Sequence, residues 1–162
     1  MDVTAFYGTV STLCFTLLGL WWVACQARND WLSEAGGRKM AYAVSLHFLL
    51  PGAMSLLSMV APDVAVLWRA TFTVAGLAGI VGVLLLAATV RSQARNLRVV
   101  AAIHWLGIPL YAAVVAVALL PGLPAALATG LSPLQLEAIL LTLLVVMGVQ
   151  AAWLLTFLPS RN

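Results

Sequence analysis

Charged residues are so sparse along this chain that they act as punctuation. Val3 to Ala27 holds none, between Asp2 and Arg28, and Met40 to Pro62 holds none between Lys39 and Asp63. Val64 to Val90 is broken only by Arg69 near its start. Val99 to about Leu120 and Ala138 to Ser160 are uninterrupted. About 20 apolar residues cross a bilayer core as a helix. In lipid, only helices and closed barrels satisfy their own backbone groups. The runs are continuous and lack period-two alternation, which excludes the barrel. The pattern therefore predicts an all-α integral membrane protein, a five-transmembrane-helix bundle. Its helices are expected at about 3–27, 40–61, 64–90, 99–120 and 136–158, in a single transmembrane domain, 1–162. The first run follows "MD" with no basic stretch and is longer than a signal-peptide core, so it reads as a retained helix.

The few charges orient the bundle. Arg28, Arg38 and Lys39 follow the first run, Arg91, Arg95 and Arg98 follow the third, and Arg161 follows the fifth. The other side carries Asp2, Asp63 and Glu137 in its loops. The positive-inside rule then places the N-terminus outside and the C-terminus in the cytoplasm. Trp21, Trp22 and Trp153 fall at the inner interface and Trp68 at the outer one, as an aromatic belt.

Composition supports this and narrows the partners. The chain is 64% hydrophobic and 8% charged, against roughly a quarter charged in water-soluble domains. Lipid is its main solvent. The net charge of +3 comes from residues that hug helix ends and form no continuous stripe, so no nucleic-acid partner is implied. Cys14 and Cys25 stand roughly 16 Å apart along one helix, too far for a disulfide. Arginine outnumbers lysine among abundant Ala, Val, Leu and Gly, which suggests a GC-rich bacterial genome and a cytoplasmic (inner) membrane.

Two patterns suggest internal organisation. QARN closes the first run (Gln26–Asn29) and recurs after the third (Gln93–Asn96). Each copy precedes a helix holding one of the two histidines, His47 and His104. The two hairpins read as a parallel repeat about an axis along the membrane normal; chance and shared boundary chemistry are the other source of such a match. The connection "PGLPAALATGLSPLQLE" is uncharged up to Glu137. It is expected to lie in the interface or to dip back into protein.

Candidate chemistry centres on the histidines. His47 in "RKMAYAVSLHFLLPG" and His104 in "RNLRVVAAIHWLGIP" lie roughly 9–12 Å inside the inner boundary at 1.5 Å per residue. Two imidazoles at one depth suit bis-histidine haem b ligation, or a metal or quinone site, with Gly107 and Tyr111 on the His104 face. The opposing reading is that each bonds a neighbouring helix, and two ligands are too few for a closed metal site. Arg69 is expected to snorkel outward, to pair with Asp63 or Glu137, or to contact an anion or headgroup. Ala75, Gly79 and Gly82, with Ala78, form a small-residue packing face. Thr4, Gly8, Ser11, Cys14 and Cys25 lie on roughly one stripe, a candidate pore lining. Gln150 is the deepest amide and either bonds across helices or faces water.

No Asp or Glu is expected at mid-membrane, which disfavours a carrier coupled to protons or sodium through a carboxylate. There is no nucleotide loop, HExxH or serine–histidine–carboxylate set, so the reading leans away from an enzyme. Five helices and six tryptophans resemble the translocator (tryptophan-rich sensory) proteins in outline. That family's proline- and tryptophan-rich loop motif is absent, and none of its residues carry over. The leading expectation is a small homo-oligomeric channel or transporter with its pathway at the subunit interface and no cofactor. The alternatives are a haem- or quinone-binding redox protein using His47 and His104, and a non-catalytic accessory subunit of a membrane complex.

Overall fold

The computed structural model describes residues 3–28, 33, 35–60, 63–90 and 97–156, the side chains at 85–90, 97–105 and 154 excepted. It is all-helical among those residues. The helices are α1 (Val3–Ala27), α2 (Ala35–Val60), α3 (Ala65–Val90), α4 (Leu97–Leu119), the single turn α5 (Leu123–Ala126) and α6 (Pro133–Thr156). α1, α2, α3 and α6 each carry a stretch long and apolar enough to cross a membrane. The chain is a multi-pass membrane protein on that ground.

The helices alternate in direction. α2 packs on α3, α3 on α4, α4 on α6 and α6 back on α2, closing an antiparallel four-helix ring. α1 lies outside it against α2, with a lighter contact to α6, and its Tyr7 ring reaches Phe72 of α3. The head of the bundle is the end where α1 and α6 start and α2 and α4 finish; the base is the opposite end. Between α4 and α6, Pro124 is buried while Ala125 to Ser132 are exposed. That connection caps the head from outside and does not dip into the bundle.

Small residues set the spacing, because lipid gives helices little hydrophobic reason to associate and close van der Waals contact must do so instead. A Cβ on Gly79 would stand 2.5 Å from the Tyr111 ring, and one on Gly76 would stand 2.6 Å from Val115. Gly82 faces a different helix, with Leu46 of α2 against it. The predicted small-residue face thus divides: Gly76 and Gly79 seat α4, Gly82 seats α2, Ala75 is half-buried and Ala78 is exposed.

Several expectations change. α2 starts at or before Ala35, so His47 lies at its midpoint rather than near one boundary. Of the four tryptophans assigned to the belt, Trp21 and Trp68 turn inward, 4% and 6% exposed, while Trp22 and Trp153 lie on the surface. The Trp21 indole donates to the Ala41 carbonyl at 3.0 Å and ties α1 to α2. The repeat does not survive either. Aligning the QARN copies carries the buried Tyr7, Val10 and Cys14 onto Val74, Leu77 and Val81, all exposed. Two copies of one hairpin would bury the same face, and these bury opposite ones.

Candidate functional site

The start of α6 decides where its acid goes. The Ser132 N–H donates to Gln135 Oε1 at 2.9 Å, and the Gln135 N–H donates to Ser132 Oγ at 3.3 Å. This reciprocal pair is a capping box, and Pro133 fills the first helical position, where a missing N–H costs nothing. The helix therefore starts at Pro133, before the expected 136, and Glu137 lies one turn inside it rather than at the loop edge. It is 0% exposed, and neither carboxyl oxygen has a hydrogen-bond partner among the described residues.

Aromatic rings and hydroxyls surround this level. The Tyr7 hydroxyl donates to the Leu134 carbonyl at 2.8 Å and lies close enough to Glu137 to feel it electrostatically. Phe72 meets Tyr7 edge-on at 6.2 Å, and Trp68 meets Phe72 at 5.9 Å. Register brings in α2. Gly8 lies by Met59, Gly52 by Cys14 and Gly148 by His47. In antiparallel pairs this sets Ser11 level with Ser55, and Ser58 level with Tyr7 and Glu137. All five are buried. Ser58 Oγ donates to the Ser55 carbonyl at 2.8 Å, while Ser55 Oγ has no partner among the described residues.

An ionised carboxylate here would be an uncompensated charge among apolar groups, a large cost unless something binds it. Arg69 does not. Its Nε and Nη2 donate to the Ala118 and Leu119 carbonyls at 2.7 and 3.0 Å, capping α4 where the helix dipole is negative. Neither the expected pairing with Asp63 or Glu137 nor a snorkelled head is needed to explain it. Chemically, then, the head presents one carboxyl with serine and tyrosine hydroxyls in the same layer, an all-oxygen set suited to a proton or small cation.

His47 occupies a separate place at mid-bundle. Nδ1 donates to the Ala43 carbonyl at 2.9 Å; a carbonyl can only accept, so the other ring nitrogen, Nε2, carries the lone pair in the neutral ring. Nε2 points across the ring of helices toward α4, where a Cβ on Gly107 would stand 3.6 Å away. Gly148 of α6 closes on the other side, 2.8 Å from the His47 Cβ by the same measure. Tyr111 lies with its ring 6.0 Å from the imidazole, and its buried hydroxyl has no partner among the described residues. Pro51 lacks the N–H that would otherwise bond the His47 carbonyl. The side chain of His104 lies outside the described residues.

The remaining candidates disperse. Ser11, Cys14 and Cys25 are buried against the bundle, whereas Thr4 is exposed, so the predicted stripe on α1 is split between two faces. Cys14 and Cys25 are free thiols. The open groove on α1, about 630 Å³, is lined by Thr4, Ala5, Gly8, Thr9, Thr12, Leu13 and Met59. Its Thr9 and Thr12 hydroxyls donate back to the Ala5 and Gly8 carbonyls, so it is less polar than its residue names suggest. Gln150 is exposed on the outer face of α6, with no bond across the bundle among the described residues. Among the described residues no group of three metal-ligating side chains comes together. The candidate residue that sequence reasoning placed in a loop is Glu137, and the signal that could have found it is Ser132-Pro-Leu-Gln135, a helix start written in four residues.

Searched against known protein families, curated proteins and solved structures, the chain matches none.

Proposed function

We propose that this protein is a small membrane transport protein that conducts protons, with Glu137 as the group that takes up and releases the proton. The single observation behind it is a carboxyl wholly buried within an apolar helix, with no hydrogen bond or counter-charge among the described residues. Acidic groups in such surroundings are costly, and where they persist they mark ion and proton pathways. A proton needs no cavity, which fits an interior closed by glycine contacts. A larger solute would pass between subunits, so the working form is a homo-oligomer. In the same reading α4 is the fifth span, the head faces outward, the base faces the cytoplasm, and the membrane is a bacterial cytoplasmic one.

The test is proton flux in liposomes holding purified protein, driven by a potassium diffusion potential and read with an internal pH dye. Wild-type protein is expected to acidify or alkalinise the lumen faster than empty vesicles. Glu137→Gln keeps the size of the side chain and is expected to abolish that flux, while Glu137→Asp retains part of it. Wild-type vesicles indistinguishable from empty ones, or a Glu137→Gln protein as fast as wild type, would sink the proposal.

A second reading rests on His47. Its Nδ1 bond to Ala43 fixes the ring with Nε2 directed into the bundle, the orientation a haem or metal ligand needs. An absorbance scan of membranes separates the readings: a Soret band lost in His47→Ala would favour the haem alternative.

A further inference from the structure

The outer face of α6 carries a pattern that its place in the bundle does not use. The inner face packs through Ala138, Leu141, Leu144, Met147, Ala151 and Leu155, all buried. On the opposite side stand Ile139, Leu143, Val146, Gln150 and Trp153, separated by alternating steps of four and three. All five are exposed; the four apolar ones are 47%, 46%, 52% and 62% accessible. Steps of four and three are the seam of a left-handed coiled coil, the commonest packing of membrane helices. An apolar seam in lipid demands no partner by itself. Gln150 does.

Several hydroxyls on these helices are satisfied at home. Thr9, Thr12, Thr16 and Thr71 each donate to the carbonyl four residues earlier in their own helix. The Gln150 amide makes no such bond among the described residues, and it stands one turn in from Trp153 on an otherwise apolar stripe. An amide carries both donors and an acceptor, so it is complementary to itself. Bare to hydrocarbon it leaves these groups unpaired.

We infer that a second copy of this chain docks along the α6 seam, with the two Gln150 amides hydrogen-bonded to each other across a two-fold axis along the membrane normal. Each side-chain N–H donates to the partner's carbonyl, an isologous contact of one residue with itself. A single polar residue at a core position of a parallel two-helix seam also fixes register, since a shift along the helix would strand both amides. The inference names the surface of the homo-oligomer proposed above and is independent of the Glu137 chemistry.

The experiment combines cross-linking with mass. In a chain with Cys14 and Cys25 replaced by serine, single cysteines are placed at Ile139, Leu143 and Val146 on the seam and at Leu77, an exposed position on α3. Oxidation in native-like bilayers is expected to give dimers from the three seam positions and little from Leu77→Cys. The mass of the otherwise unaltered protein in mild detergent is expected to be that of two copies. Gln150→Leu is expected to weaken association about tenfold, and Gln150→Asn to recover part of it. A monomeric wild type, equal cross-linking at Leu77→Cys, or a Gln150→Leu protein as dimeric as wild type would overturn the inference. Should Gln150→Leu fold poorly, the cross-linking pattern alone decides. A monomer whose proton flux still depends on Glu137 would sink this inference and the homo-oligomer with it, and leave the proton role of Glu137 standing.

Discussion

Arg69 shows what a cation does in an apolar helix when it pairs with no acid among the described residues. Its two donors hold the last carbonyls of α4, so it fastens α3 to α4 by charge-assisted bonds and leaves Glu137 alone. Hydrogen bonds to charged groups contribute about 1.5–3 kcal/mol, and partial exposure of the head reduces that. Arg69→Met is expected to cost about 1–2 kcal/mol, seen as a lower thermal midpoint in detergent, with Arg69→Lys intermediate because it loses the planar fork. An unchanged midpoint would mean that the bonds are not held in solution. Gly79 sits at the other extreme, where absence of a side chain is the whole contribution. Gly79→Val would push atoms into the Tyr111 ring, and overpacking of this kind costs about 1–3 kcal/mol. The same thermal assay checks it, and Ala78→Val, on the exposed side of the same turn, is the neutral control.

Helix boundaries carry more of the functional reading than helix interiors do. The capping box at Ser132 and Gln135 places Glu137 inside α6, so a site emerges from where one helix begins. Loss of an N-cap hydroxyl costs about 1 kcal/mol; Ser132→Ala is therefore expected to lower stability by that amount and to leave proton flux near wild type. A flux that vanished with Ser132→Ala would mean that the cap takes part in the chemistry. The spans themselves were legible because uncharged length is a strong signal: Val3–Ala27 agrees with α1 at both ends. The faces were not. The stripes on these helices differ little in hydropathy, which could not tell Tyr7 and Cys14, which pack into the bundle, from Leu13 and Thr12, which are exposed. The same insensitivity made the QARN match look like a duplicated hairpin and sent Trp21 and Trp68 to the interface. The rings are amphipathic enough for either place, and only the Trp21 bond to Ala41 decides it.

For the whole molecule, the asymmetry between the two ends is the feature that a transport role has to use. The head gathers Glu137 and Asp63. The base gathers Arg28, Arg38 and Lys39, with Arg28 donating to the Thr156 carbonyl at 3.2 Å, which adds a cation to the end of α6. Positive residues are retained on the cytoplasmic side during insertion, so the proposed orientation puts the base inward and Glu137 at the outer end. In that proposal the carboxyl is where protons enter, and an accessibility pattern follows. Cys14 and Cys25 are buried at 0% and 1% exposure and stay silent to aqueous reagents. Thr129 is exposed in the head connection and Lys39 at the base. In intact cells, a membrane-impermeant maleimide is expected to label Thr129→Cys and to miss Lys39→Cys until the cells are opened. The reverse pattern would place Glu137 on the cytoplasmic side and turn proton entry into proton release. Labelling of both in intact cells would mean that the helices do not alternate across the bilayer, and the ring of four would have to lie in it some other way.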